Sequence, residues 1–203
     1  MNRFIAGAMT ALVAIVISAC GSSTDSATLS LATPTVVASG SGVAIPSLPS
    51  DAKDLEALIP DKIGNLTLIK ASMTGKEFVG SAGAPQEAQD FLSGLGVSTD
   101  DVTVALGLGA DTTGVGDAVA VLLFRAQGAS SDRLLSLFKE ATDRERKTPL
   151  DWQPASLGGK DVQKAADPQQ GGNTIYLYAT GDLLVFVTAG DDTQAGEALA
   201  ALP

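Results

Sequence analysis

Val102-Thr-Val-Ala-Leu-Gly-Leu108 and Ala118-Val-Ala-Val-Leu-Leu-Phe-Arg125 decide the fold class. Each is a short run rich in β-branched and large apolar residues, which predicts a strand. The second is almost wholly apolar through Val119, Val121, Leu122, Leu123 and Phe124. A strand apolar on both faces belongs in the middle of a sheet. Gly109 to Gly116 joins the two as a glycine-rich hairpin loop.

Upstream, Pro85 suits the first turn of a helix, where its missing N–H costs nothing. Ala88, Phe91, Leu92 and Leu95 then form one apolar stripe at i, i+3, i+4 and i+7, and Gly96 is placed to end it. Before that helix, Leu66 to Met73 reads as a strand, Gly75 as a turn and Phe78-Val79 as a second short strand. Asp51 to Ile59 reads as a helical turn behind Ser50 as its cap, with Leu55, Leu58 and Ile59 on one side and Pro60 at its end.

Downstream, Ser130 or Ser131 caps a helix whose Leu134, Leu137, Phe138 and Ala141 face inward. Glu140 and Arg144 form an i,i+4 pair on its outer face, and Pro149 stops it. Trp152 to Leu157 and Asp161 to Ala165 follow as strands around Gly158-Gly159. Thr174 to Tyr178 and Leu183 to Thr188 form a further hairpin through Thr180-Gly181-Asp182. Asp191 or Asp192 caps a last helix with Ala195, Ala198, Leu199 and Leu202 on one face.

Consecutive strands sit close together, so they pair antiparallel. The expectation is an α+β, two-layer sandwich: a mostly antiparallel sheet with helices packed on one face. The central part reads β-α-β-β-α-β, the ferredoxin-like order. That order hosts many functions and licenses none.

The other informative stretch is the N-terminus. Arg3 is followed by a charge-free, apolar run from Phe4 to Ala19, the pattern of an export signal. It is shorter than the roughly 20 residues needed to cross a hydrocarbon core. Ile17-Ser18-Ala19-Cys20 closes it and resembles the lipobox of bacterial lipoproteins: an aliphatic residue, two small ones, then cysteine. The resemblance implies that the Cys20 sulfur receives a diacylglyceryl group, that residues 1–19 are removed, and that Cys20 becomes the lipidated N-terminus. A thiol suits this chemistry because its thiolate is a strong nucleophile. The partner implied is a membrane, reached through lipid on Cys20, with the domain on the extracytoplasmic side. The remainder is similar only in general style to bacterial lipoproteins, which implies no activity.

Residues 20–50 carry one charge, Asp25, among Ser, Thr, Ala, Gly, Val and Pro. This composition predicts a tether, averaging roughly 30 Å end to end if it behaves as a flexible chain. Residues 51–203 make the single folded domain.

Composition narrows the function. The formal charge is −10 and becomes −11 once Arg3 leaves with the signal, which argues against nucleic acid. Histidine is absent, excluding Ser-His-Asp and Cys-His machinery and His-ligated zinc. The single cysteine leaves no partner for an intrachain disulfide. Carboxylate chemistry, a Ser–Lys pair or an oxygen-only metal site survive.

The candidate sites are few. Gly107-Leu108-Gly109 through Gly114-Val115-Gly116 lacks the following helix of a phosphate cradle. Asp100, Asp101, Asp111 and Asp117 bracket that loop without EF-hand spacing. Asp191-Asp192 reads as a helix cap. Tyr176 and Tyr178 share one strand face and, with Trp152, could floor a pocket for an apolar or sugar ligand. Asn65-Leu66-Thr67 matches a glycosylation sequon, which the bacterial lipobox discounts. The sequence points to a non-enzymatic, lipid-anchored binding or envelope protein with a small-molecule or protein partner and no cofactor or metal. The competing readings are an envelope enzyme using carboxylates or a metal and a purely structural envelope component.

Overall fold

The computed structural model describes residues 52–81, 85–110, 118–144, 146, 148–168 and 173–203. The signal, Cys20, the tether, Ser50, Asp51, Asp111, Asp117 and Gly114-Val115-Gly116 lie outside these residues.

Among them a short helix, α1 (Lys53–Glu56), leads into the two-stranded β1 (Lys62–Ile63) and β2 (Leu66–Thr67). There follow β3 (Ile69–Thr74), α2 (Gly75–Ser81), α3 (Pro85–Leu95), β4 (Val102–Ala110), β5 (Ala118–Ala126) and α4 (Ser131–Arg144). The chain continues through β6 (Gln153–Leu157), β7 (Lys160–Ala166), β8 (Thr174–Thr180), β9 (Leu183–Ala189) and α5 (Asp192–Ala201). Seven strands form one antiparallel sheet in the order β3-β4-β5-β9-β8-β7-β6. The expected α+β architecture is present, and the apolar β5 lies between β4 and β9 as its composition requires.

Two details differ. Phe78 and Val79 are helical, not extended. Thr74 and Glu77 make a reciprocal capping pair: the Thr74 N–H donates to Glu77 Oε2 at 2.8 Å, and the Glu77 N–H to Thr74 Oγ1 at 3.4 Å. Their side chains satisfy donors at the helix start, so the segment winds at once after β3. That extra helix changes the topology. One helix between strands carries the chain to the opposite end of the sheet, whereas two bring it back to the end it left. β4 therefore returns antiparallel beside β3, and the ferredoxin-like order, which pairs strands in parallel across a single helix, is not formed.

The second difference is the distribution of helices. Alternate residues of the central strands feed two cores. Val102, Val104, Phe124, Leu177 and Leu184 pack under α2, α3 and α4, where Phe124 meets Phe78, Phe91 and Phe138 edge to face. Ala105, Val121, Leu123, Val185 and Val187 pack against α1 and α5 on the other side. The helices thus occupy both faces, because a sheet apolar on both sides needs both covered.

Several predicted details are present. The stripe Ala88, Phe91, Leu92 and Leu95 is buried. Asp191 is the N-cap of α5 and accepts from the Gln194 N–H at 2.9 Å. Glu140 and Arg144 pair at 2.7 Å.

Candidate functional site

Tyr176 and Tyr178 do project from one face of β8, but they do not meet Trp152. Tyr176 is fully buried in the core beneath α5, and Tyr178 packs at that core's margin. Trp152 borders the opposite core. Seven strands therefore separate nothing into a common floor: the sheet itself stands between the tryptophan and the tyrosines. The three-residue pocket is not formed.

Each ring has a structural task instead. The Tyr176 hydroxyl donates to Asp192 Oδ1 at 2.7 Å, and Lys164 Nζ donates to Asp192 Oδ2 at 2.7 Å. Lys164, then Tyr176, hold the Asp192 carboxyl below its ordinary range, while burial pushes the Tyr176 hydroxyl up, assisted by Asp192. The pair pins the first turn of α5 to β7 and β8. Trp152 Nε1 donates to Asp143 Oδ1 at 3.2 Å, which also accepts from the Leu150 N–H, and Lys139 lies 5.5 Å from the ring centre. Lys160 sits similarly over Tyr178, at 5.3 Å.

The described members of the acidic group, Asp100 and Asp101, are likewise engaged. Asp100 pairs with Lys76 at 2.8 Å, and Asp101 accepts from the Ser98 hydroxyl at 2.6 Å. Buried Asp167 pairs with Arg146, which also donates to the Thr142 carbonyl. Among the described residues no group of three His, Cys, Asp or Glu is placed to hold a metal. A shallow hollow of about 290 Å³ lies between α4 and the β6–β7 hairpin, lined by Leu135, Pro154, Asp161, Gln163 and Leu177. None of the three predicted aromatic residues lines it.

The feature that sequence reasoning missed is an apolar stretch of sheet that no helix covers among the described residues. On the side covered by α2, α3 and α4, register places Ile69 beside Leu108 and Leu108 beside Ala120. The next rung runs Ala71, Leu106, Leu122, Phe186. Ile69 is 44% exposed and Leu106, Leu108, Ala120, Leu122 and Phe186 are half-buried, whereas Ala71 is buried. Leu122 and Phe186 touch the core under the helices, whereas Ile69, Leu106 and Leu108 belong to neither core among the described residues.

Element lengths explain why the described helices do not reach it. The nine residues of β4 run about 30 Å at 3.4 Å per residue. The seven residues of α2 and eleven of α3 reach only about 10 and 16 Å at 1.5 Å each. Helices that begin at the end of the sheet where β3 finishes therefore stop short of the end where it starts. The sequence signal was available as a mismatch: the apolar alternation Val102, Val104, Leu106, Leu108 outruns the helices that must cover it.

No family model, no curated protein and no solved structure matches this chain.

Proposed function

We propose that the protein is a lipid-anchored, extracytoplasmic binding or envelope-associated protein, held to a membrane through Cys20 and acting without catalysis. The observation that carries this reading is Ile17-Ser18-Ala19-Cys20 closing a charge-free apolar run behind Arg3. Among the described residues no helix is long and apolar enough to cross a membrane. Two acyl chains on one thiol hold a protein stably, where one holds it only marginally. Asp100, Asp101, Asp191, Asp192, Trp152, Tyr176 and Tyr178 are taken up in caps, ion pairs and core contacts, which favours a role without chemistry. Cys20→Ala, expressed in a bacterium that processes lipoproteins, is expected to abolish incorporation of a fatty-acid probe and to leave residues 1–19 attached. Unchanged labelling of the variant would overturn the anchor.

A further inference from the structure

We propose that the hollow between α4 and the β6–β7 hairpin binds a free dipeptide, with its carboxylate on Lys139 and Gln163 and its ammonium on Asp161. Val162 packs in the core beneath α5, so its neighbours Asp161 and Gln163 face the α4 side. Register sets Gln163 between Pro154 and Leu177. Those two residues and Leu135 of α4 give the hollow its apolar lining. Lys139 stands one turn beyond Leu135 on the same side of α4. Its Nζ lies 3.4 Å from Gln163 Oε1 and 5.5 Å from the centre of the Trp152 ring.

Charge decides the ligand class. Lys139 is half-buried, yet the groups it touches are a neutral amide and a ring. Among the described residues neither Lys139 nor Asp161 forms an ion pair. A cation partly withdrawn from water gains from a carboxylate that accepts a charge-assisted hydrogen bond. A simple anion would supply that group but meet the repulsion of Asp161, and a simple cation would meet that of Lys139. A ligand with one charge of each sign satisfies both ends. An uncharged sugar leaves both charges unanswered.

Spacing sets the length. Asp161 and Gln163 are two residues apart on β7, about 7 Å along the strand. In a single amino acid the ammonium nitrogen is only about 2.5 Å from the carboxyl carbon, because both are bonded to one α-carbon. Two extended residues place the two charges roughly 7 Å apart. The hollow, of about 290 Å³, lies at the bottom of the range of ligand pockets, about 300–1,000 Å³, and leaves no room for a longer peptide along its whole length. Apolar side chains suit its lining of Leu135, Pro154 and Leu177. The inference rests on the binding reading proposed above, in that the peptide is held and not cleaved, and it does not use the lipid anchor.

The test uses the full lipidated chain in phosphocholine-detergent micelles, titrated with alanyl-leucine. Calorimetry reads binding, and the fluorescence of Trp152, the single tryptophan, reports its place beside Lys139. Saturable binding is expected, weakened about tenfold or more when either end of the peptide is blocked, as N-acetyl-alanyl-leucine or as alanyl-leucinamide. Lys139→Met should abolish the preference for the free carboxylate over the amide and keep that for the free amine. Asp161→Asn should do the opposite. Lys160→Met, over Tyr178 on the other face of the sheet, should change neither preference. The blocked peptides keep the test independent of how any variant folds. No heat at millimolar alanyl-leucine, or equal binding of free and blocked peptides, would overturn the proposal. So would saturable binding of maltose in its place, which would assign the hollow to sugars. A failed titration of protein whose Cys20 still takes the fatty-acid probe strikes the dipeptide and spares the anchor. Binding by protein that takes no probe does the reverse.

Discussion

Residues 106 to 109 of β4 build two unlike surfaces from four consecutive positions. Gly107 and Gly109 face the side covered by α1 and the β1–β2 ribbon. There a β-carbon at Gly107 would come within 2.7 Å of Ile59 Cγ2, and one at Gly109 within 2.7 Å of Leu68 Cδ2. Leu106 and Leu108 face the other way, and neither joins a core among the described residues. The small residues lie where the fold is closed, and the large ones where it is open. A strand intended only to be covered would do the reverse on its open side, placing polar residues towards water. The difference teaches that the reach of the neighbouring elements, more than the strand's own composition, decides which face is finished. Residues 59–68 lie directly over the glycines, whereas α2 and α3 end before the leucines.

The closed side should therefore be the sensitive one. Its tightest point is Gly158, at the tip of the β6–β7 hairpin, with φ of 59°. A β-carbon there would lie 2.6 Å from both the Ala200 nitrogen and the Gly196 carbonyl oxygen of α5. Backbone on both sides cannot move aside as a flexible side chain can. Gly158→Ala is expected to cost about 3 kcal/mol or more, combining overpacking with the penalty of a left-handed conformation. Gly107→Ala meets side chains alone, Ile59 Cγ2 at 2.7 Å and Leu68 Cδ1 at 3.4 Å, and should cost less, about 1–3 kcal/mol. Urea unfolding checks both, and a loss at Gly107 exceeding that at Gly158 would break the ordering.

Much of the closed side was legible from local signals. The apolar stripe of α3, the Asp191 cap and the paired glycines of the β6–β7 turn are contacts within a few residues, and sequence patterns report such contacts directly. The start of α2 was equally local, since Thr74 and Glu77 stand at capping-box spacing, but the short run Phe78-Val79 reads as extended when its cap is overlooked. The division of helices between two faces was not legible. An apolar run such as Val119 to Phe124 says that both faces are buried and does not say what buries them. Trp152 shows the same limit. Its place just before β6 was legible, but the core it borders depends on how the segment after α4 crosses the sheet edge.

A smaller effect should separate the two ends of the closed side. Asp192 is bound by both Tyr176 and Lys164, whereas the hairpin tip relies on shape alone. Tyr176→Phe removes a hydrogen bond to a carboxylate that is half exposed to water, so about 1 kcal/mol is expected. The pH dependence has a definite sign. The Asp192 carboxyl titrates lower in the folded protein than in the unfolded chain, so its contribution is complete above the ordinary carboxylate range and is lost as pH falls through the folded value. The Tyr176 hydroxyl titrates higher when folded, so its contribution is complete below about pH 10 and is lost as pH rises beyond. Tyr176→Phe should therefore abolish the alkaline part of this dependence and weaken the acid part. A variant whose stability still fell in alkali as steeply as the parent's would remove Tyr176 from that role.

The smallest effect is expected at the leucines, and it is the most discriminating. Burying two leucines fully would make their loss cost several kcal/mol. Leu106 and Leu108 are half-buried and rest on no helix among the described residues, so Leu106→Thr and Leu108→Thr should each change stability by about 0.5 kcal/mol or less. Threonine, being β-branched, suits a strand at least as well as leucine, so a loss of backbone preference does not confuse the comparison. Neutral values would mean that fold stability does not require these apolar side chains. Their presence would then call for an occupant other than the domain's own core. Losses of 2 kcal/mol or more would instead show that the face is covered by the chain itself, and the contrast between the two sides of β4 would disappear.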